Sequence, residues 1–385
     1  MKDKILVTLV GIAFLAFFQT SNISAAVDAA VSADAPATPP KCPVKLTLIE
    51  LSPGPVLKQG DPGTEGNKFG VEGGCVFKHQ GLYHFFTSEE MGDPYWVKMR
   101  LGHWTSPDRV KWTRSDTITE SSGEQNGINL KAAPWAPMPF YDEQAKLWNM
   151  YYVAYRSKAK PGLNPGWYGN YDGRIVRAVS QTPGPNGLKG PWKDVEIALE
   201  PDWESWKKNG SQPWEGLQGV DSMSPPFSVG DKWLAFYGSC QTQGEKKNPA
   251  YTQWNVGLAE APAATGPWTR CATGNPMPFQ ADGYCENPIA TRLADNLYVM
   301  VCDRGTIGYA ASSDGVHWSR AESVEIPEKM RWWTGRTTTP MGVIPESDGT
   351  YTIFFTAPNP KFRPEGKKAP WESLGFVRVK MEIVP

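Results

Sequence analysis

The chain has 385 residues, of which 39 are Lys or Arg and 40 are Asp or Glu, so its formal net charge at pH 7 is −1. This balance argues against nucleic acid or an anionic membrane as a partner, because either would favour a concentrated basic face. The length alone suggests two domains, but a single repetitive β domain also reaches this size.

The N-terminus has the pattern of an export signal. Lys2 and Lys4 precede an apolar run that ends at small residues near Ala25, which is typical of a cleaved signal peptide over residues 1–26. Residues 27–43 are rich in Ala and Pro and have no hydrophobic period, so we expect a flexible leader. No segment has the ~18 to 20 continuous apolar residues of a membrane span. The sequence therefore predicts a secreted or periplasmic protein without a membrane span.

One segment recurs along the chain. Residues 101–112 (LGHWTSPDRVKW) and 307–318 (IGYAASSDGVHW) share an apolar run, a Ser, an Asp and a Trp in the same order. Two looser copies end at Trp192 and Trp268, with Gly-Pro-Trp in place of the turn, and a fifth apolar run begins at Leu374. Self-similarity at intervals of tens of residues indicates a repeat architecture.

A pair of β-like runs joined by a polar turn precedes each copy. These pairs are residues 73–89, 136–155, 224–239, 287–303 and 339–357. Hairpins followed by further strands, repeated five times, predict an all-β fold: a five-bladed β-propeller over residues 44–385. The last blade lacks an outermost strand, and the run VKLTLIEL from Val44 is expected to supply it. The alternative, a large sandwich or jelly roll, does not generate five matching strand triplets.

The positions just ahead of the innermost strands define a candidate site, because these positions crowd together at one mouth of a propeller channel. They hold Glu72, Trp135, Asp221, Glu286 and Arg336. Carboxylates that converge in a partly desolvated channel raise one another's pKa. Glycoside hydrolysis uses such groups, one as acid and one as base or nucleophile. The alternative is that the acids cap turns or bind a structural cation in the channel.

With these residues, the chain resembles the five-bladed propeller glycoside hydrolases of families 43, 32, 62 and 117. The resemblance implies that Glu72 is the base, Asp221 an orienting or pKa-tuning acid, and Glu286 the general acid. Two departures indicate a divergent member: Glu72 stands where an Asp is usual, and Trp135 begins a Trp-Ala-Pro where Asp-Pro is common.

Aromatic and basic residues are further candidates for binding a carbohydrate. The chain has 17 Trp residues, and sugar rings stack on flat aromatic surfaces. Besides Trp135 we expect Trp167 and Trp333 to contact substrate, together with Arg336 and Arg304, since a guanidinium pairs with acidic sugars. The alternatives are loop packing for the tryptophans and internal salt bridges for the arginines.

Other chemistries have weaker support. The four His and six Cys show no metal-ligand spacing, and the Cys spacing fixes no disulfide pairing even though export would permit disulfides. We therefore expect no metal and no cofactor, with a structural cation in the channel as the alternative. Asp314 is predicted to form a turn.

The sequence thus predicts a secreted glycosidase acting on a plant or algal polysaccharide or its oligosaccharides. One alternative is a non-catalytic carbohydrate-binding propeller. Another is a sialidase-like enzyme, suggested by the likeness of the 307–318 segment to the Asp-box turn. The sialidase alternative requires six blades and a clamp of three arginines.

Overall fold

The computed structural model describes residues 41–158, 169–201, 214–216, 218–243, 250–272, 275–277, 285–337, 339–363 and 370–384. The predicted signal peptide and all but the last residues of the predicted leader lie outside this part. Within it, no helix has the length and apolar character needed to cross a lipid bilayer.

Strands in antiparallel sheets dominate the described residues. The first unit contains β2 (Gly70–His79), β3 (Leu82–Glu90), β4 (Met99–Ser106) and β5 (Thr113–Glu120). The second contains β6 (Ala133–Asp142), β7 (Leu147–Ser157), β8 (Asn170–Ser180) and β9 (Trp192–Leu199). The third contains β10 (Ser222–Met223), β11 (Phe227–Val229), β12 (Lys232–Gln243), β13 (Ala250–Ala261) and β14 (Thr269–Arg270).

The remaining strands form two further units. The fourth contains β15 (Glu286–Ala294), β16 (Leu297–Asp303), β17 (Ile307–Ser312) and β18 (Glu322–Ser323). The fifth contains β19 (Ile344–Pro345), β20 (Tyr351–Asn359), β21 (Trp371–Ile383) and the N-terminal strand β1 (Val44–Leu51). Two 3-10 turns, Pro185–Lys189 and Glu328–Met330, are the helical elements named among the described residues.

The five units are the blades of the predicted propeller, so the all-β, five-bladed prediction is confirmed. Each blade runs from an innermost strand outward through antiparallel neighbours. Blades one and five also share a parallel bridge between Gly70 and Glu372. The sandwich alternative is wrong, and the described residues form one blade fewer than the sialidase alternative requires.

The two ends of the described chain close the propeller in one blade. Strand β1 pairs antiparallel with β21, with Val44 opposite Ile383 and Leu51 opposite Val377. Val44 and Leu46 are buried whereas Lys45 and Thr47 between them are exposed, which is the period-two pattern of a strand with one face on the core. The prediction that the N-terminal run completes blade five is confirmed.

The second strand of each blade is largely buried. Four of these strands carry adjacent aromatic residues with almost no exposure: Phe85 and Phe86, Tyr151 and Tyr152, Phe236 and Tyr237, and Phe354 and Phe355. Because adjacent residues of a strand point to opposite faces, one ring of each pair packs against each neighbouring blade. Burial of one such ring contributes roughly 2–3 kcal/mol relative to exposure, so these strands contribute strongly to the stability of the propeller.

The repeated Ser-Asp turn has a structural role. The Asp314 Oδ1 atom accepts hydrogen bonds from two following backbone N–H groups at 2.9 and 2.8 Å, and Asp108 accepts the equivalent bonds at 3.0 and 2.8 Å. The indoles of Trp112 and Trp318 each donate to a carbonyl of the turn, at 2.9 and 3.0 Å. Trp318 then packs against Phe236 of blade three, with ring centroids 5.2 Å apart. The prediction that Asp314 forms a turn is confirmed.

Candidate active site

A β-bulge follows the predicted site residue on three innermost strands. The pairing register with the second strand shifts between Glu72 and Cys75, between Trp135 and Met138, and between Glu286 and Ile289. The first residue of each bulge has a positive φ: Gly73 at 67°, Ala136 at 50° and Asn287 at 50°. A bulge re-aims the adjacent side chain and increases the local twist. The three site residues therefore occupy equivalent positions in their blades.

These side chains line a single pocket with an empty volume of about 730 Å³, within the usual range for small-molecule sites. Five residues predicted from the sequence meet there: Glu72, Trp135, Asp221, Glu286 and Arg336. Further lining residues are Trp96, Tyr155, Asn170, Gln218, Trp254 and Asp303. The structure therefore brings carboxyl groups from three blades to one mouth of the channel.

Asp221 is held in place by two hydrogen-bond donors. Both the Tyr155 hydroxyl and the Gln218 amide donate to its Oδ1 atom, the amide at 3.0 Å. Gln218 also donates to the Tyr155 hydroxyl at 3.2 Å. Burial raises the pKa of Asp221 to about 6, although the hydrogen bond from Tyr155 opposes this. The two donors, which also line the pocket, fix the orientation of the carboxyl group.

Glu286 has an acidic neighbour on the next strand. It lies directly opposite Asp303, which is 2% exposed and accepts a hydrogen bond from the Gly305 N–H at 2.6 Å. Burial raises the pKa of Asp303 to about 7, with Arg336 opposing. Burial, and then the charges of Asp221 and Asp303, raise the pKa of Glu286 well above its usual range. These neighbours therefore favour the protonated form of Glu286, which is the form that a general acid needs.

The charged groups that most affect Glu72 differ from those that most affect Glu286. Its side chain is partly exposed at the pocket surface but enclosed by protein elsewhere, and this desolvation raises its pKa to about 7. Arg336 opposes the shift, whereas Asp221 adds to it. A carboxyl group with a pKa near the working pH can accept a proton and can be ionised in a useful fraction of molecules.

Among the described residues that line this pocket, Arg336 is the one basic residue. Burial lowers its pKa, but the charges of Asp303, Glu286 and Glu72 outweigh burial and raise it. The guanidinium therefore stays charged and offsets part of the negative charge of the pocket.

Trp96 forms an aromatic wall of the pocket in a strained conformation. Its φ is 61°, a region that bulky residues rarely adopt. The Trp96 carbonyl oxygen accepts hydrogen bonds from Trp135 Nε1 at 3.2 Å and from Asn170 Nδ2 at 2.8 Å. Its ring stacks on Tyr95 at 5.4 Å and meets Trp135 edge-on at 5.9 Å. Strain that neighbours enforce is characteristic of functional sites.

Three predicted substrate-binding residues are not placed in the pocket. Trp333 is 5% exposed and packs against Phe355 at 5.0 Å in the core of blade five. Arg304 is absent from the described lining, and its side chain packs over Gly308 with a buried Nη1 that makes no hydrogen bond. Trp167 lies outside the described residues. A place in a long loop, as for Trp333, or after a strand, as for Arg304, does not decide which way a side chain points.

Two other arginines of the sequence form internal ion pairs. Arg156 binds Asp172 at 2.9 Å, and Arg174 binds Asp172 at 3.2 Å and Glu200 at 2.7 Å. Among the described residues, no group of three His, Cys, Asp or Glu side chains has a geometry suited to a metal ion, and none of the six cysteines is in a disulfide.

Three residues in or beside the pocket were not predicted from the sequence: Glu90, Asp303 and Trp96. Glu90 and Asp303 are the last residues of the second strands in blades one and four. In a hairpin, the end of the second strand lies beside the start of the first, so an acid at this position was a detectable signal. Trp96 had no comparable signal, because its place depends on the loop before β4.

Comparisons with known proteins support the fold. No protein-family model and no curated protein sequence matches the chain. Solved structures do match. One, a complex of BT0996 and RGII, aligns with a TM-score of 0.60 at 15% identity, covering 86% of this chain and 92% of the other.

Two further structures resemble the chain over most of its length. Zg3597, a family 117 glycoside hydrolase from the marine bacterium Zobellia galactanivorans, aligns with a TM-score of 0.55 at 13% identity, over 88% of this chain and 91% of that protein. The catalytic domain of a GH62 α-L-arabinofuranosidase from Coprinopsis cinerea aligns with a TM-score of 0.50 at 12% identity, over 89% and 98%. The predicted resemblance to propeller glycoside hydrolases is confirmed at the level of the fold.

Proposed function

We propose that this chain is a glycoside hydrolase. The observation that carries the proposal is the meeting of Glu72, Asp221 and Glu286, from three blades, in one pocket with raised carboxyl pKa values. Keeping several acids in a desolvated pocket opposes folding, so such clusters mark functional sites. Paired carboxyl groups with different proton affinities match the requirement of glycosidic bond cleavage.

The environments of the three acids support distinct roles. Glu286 faces two other acids and is assigned as the general acid that protonates the leaving oxygen. Glu72, for which Arg336 favours the charged form, is assigned as the base or nucleophile. Asp221 is fixed by Tyr155 and Gln218 and is assigned to orienting the site and tuning the pKa of Glu286.

The aromatic lining supports a carbohydrate as the ligand. Trp96, Trp135 and Trp254 line the same pocket as the acids, and the C–H faces of a sugar stack on indole rings. The proposed substrate is a plant or algal polysaccharide or its oligosaccharides, met outside the cytoplasm as the N-terminal signal pattern indicates. Arg336 is assigned to substrate hydroxyl or acidic groups as well as to the pocket carboxylates.

A screen of the purified protein tests this proposal. We expect product release from at least one member of a panel of aryl glycosides and plant and algal polysaccharides, measured as aryl leaving group or new reducing ends. Isothermal titration calorimetry with the same oligosaccharides provides the second readout. Binding without any product release would favour the non-catalytic carbohydrate-binding propeller, and neither binding nor release would contradict both.

A further inference from the structure

Glu90 is a completely buried acid beside the proposed base. It is 0% exposed, and neither of its carboxyl oxygens makes a hydrogen bond of normal geometry. An isolated ionised carboxylate in such a place would be very costly, and buried acids stay neutral instead. Glu90 lies at the end of β3, away from the Arg100 and Arg114 side chains, which pair with its neighbour Glu89.

The sheet register places Glu90 and Glu72 on the same face. Gly70 lies opposite Glu90, and Glu72 lies opposite Ser88. Residues opposite each other across a strand pair, and residues two apart along a strand, share one face, so Glu72 and Glu90 are diagonal neighbours. Gly70 between them has no side chain, and a Cβ there would meet the backbone of Glu372 at 2.4 Å. The backbone of Glu372 therefore fills the space that a side chain at position 70 would need, and no side chain from this position lies between the two carboxyl groups.

Glu90 and Glu72 are influenced by different charged and polar groups. Glu90 faces Glu72, Glu372 and the Trp96 indole, which acts as a donor toward it. Glu72 faces Arg336, Asp221 and Glu90 and also acts on Glu286 and Asp303. Glu90 thus has two acids beside it, whereas Glu72 has Arg336, which favours its charged form. The proton shared by the pair belongs on Glu90.

We propose that Glu90 is a neutral carboxylic acid that donates a hydrogen bond to Glu72 and so positions Glu72 as the base, an inference that rests on the proposed function. Glu90 does not line the pocket, so it is a positioning residue and not a catalytic one. A hydrogen bond donated to the charged form of Glu72 favours ionisation. It also fixes the direction of the carboxylate, because a hydrogen bond is strong only when donor and acceptor are well aligned.

Two variants separate this role from a structural one. In Glu90→Gln the amide still donates, so we expect kcat within about threefold of wild type and an unchanged acidic limb of the pH profile. In Glu90→Met, of similar length, the donor is lost. We then expect kcat to fall about 10- to 100-fold, with KM little changed and the acidic limb moved upward by about one pH unit, because Glu72 ionises less readily. Circular dichroism checks that both variants fold.

Infrared spectroscopy tests the state of Glu90 without any substrate. The difference spectrum of wild type minus Glu90→Gln at pH 7 should contain the carbonyl band of a neutral carboxylic acid. Absence of this band would overturn the proposal, as would equal loss of activity in the two variants or an unchanged pH profile in Glu90→Met. If the wild type hydrolyses nothing, the role of Glu72 as base falls with the proposed function, while the infrared result still decides whether Glu90 is neutral.

Discussion

The two ends of the central channel are built from the same innermost strands but have opposite chemistry. At one end, four acids and Arg336 line the pocket, and bulges follow Glu72, Trp135 and Glu286. At the other end, the same strands present mainly apolar and proline residues: Val76, Pro139, Pro225, Pro226, Ile289, Ile344 and Pro345. The backbone geometry of the blades therefore does not create the site. Local departures from regular pairing at one end of β2, β6 and β15 do.

This contrast implies that substitutions at the acidic end change chemistry, whereas matched substitutions at the apolar end change little. Strands β2 and β15 each carry a charged residue at both ends, with Glu72 and Lys78 on one and Glu286 and Arg292 on the other. Each strand thus supplies its own control.

The largest effect is expected on strand β2. Glu72→Gln removes the base while preserving shape, so hydrolysis should fall about 10³-fold. Lys78→Gln, at the other end of the strand, breaks a partly exposed pair with Glu346 that is worth less than ~1 kcal/mol, and activity should stay within about threefold. Steady-state kinetics on both variants test this prediction. Similar losses of activity in Glu72→Gln and Lys78→Gln would contradict the difference between the two ends of the strand.

The second-largest expected effect is the change of kcat/KM with pH. Glu72, with a pKa raised to about 7, must be ionised, so activity should fall about tenfold per unit as pH drops below that value. Glu286, with its pKa raised by burial and by Asp221 and Asp303, must be protonated, so activity should fall again at higher pH. Rates measured from pH 4 to 10 should give a bell, and a plateau through pH 5 would be inconsistent with Glu72 as base.

Trp96 should affect binding more than chemistry. Trp96→Ala removes the aromatic wall, and we expect KM to rise about tenfold with a smaller change in kcat. Trp96→Phe keeps an aromatic ring that can stack on a sugar, so its KM should lie between those of Trp96→Ala and wild type. Calorimetric titration of an oligosaccharide product supplies the binding constants. Equal affinities for wild type, Trp96→Ala and Trp96→Phe would show that Trp96 does not contact the ligand.

The smallest effect concerns stability. Asp303 has a pKa raised to about 7 by burial, so the folded protein prefers the protonated form. Its contribution to stability is present at low pH and is lost as pH rises from the unfolded-state value through about 7. Asp303→Asn should therefore increase the free energy of unfolding by at least ~1 kcal/mol at pH 8 and have little effect at pH 4. Urea denaturation at both pH values checks this, and a stabilisation independent of pH would point to another cause.

Much of the fold followed from the sequence because propeller blades repeat. The recurring Asp108 and Asp314 turns located the outer strands, and the hairpin signals located the inner ones. The equivalence of Glu72 and Glu286 followed from their common distance to those hairpins, and the structure gives both the same bulge.

The remainder of the site depends on strand partners and loops. Asp303 and Glu90 end the second strands of their hairpins, so they are found only when the second strand is aligned with the first across the hairpin turn. Trp333 follows an irregular loop, where the sequence does not determine whether a ring faces the core or the pocket. Trp96 requires a positive φ that two side chains from blade two maintain, which is a tertiary effect.

The most direct test of the central claim compares leaving groups in Glu286→Gln, with Arg292→Gln from the same strand as control. A sugar leaving group needs protonation, whereas a dinitrophenolate leaves without it. The account predicts that Glu286→Gln lowers kcat/KM at least ~10²-fold for the sugar leaving group and less than about tenfold for the dinitrophenyl glycoside. Arg292→Gln should change neither by more than about threefold. Equal losses on both substrates, or none on either, would contradict Glu286 as the general acid.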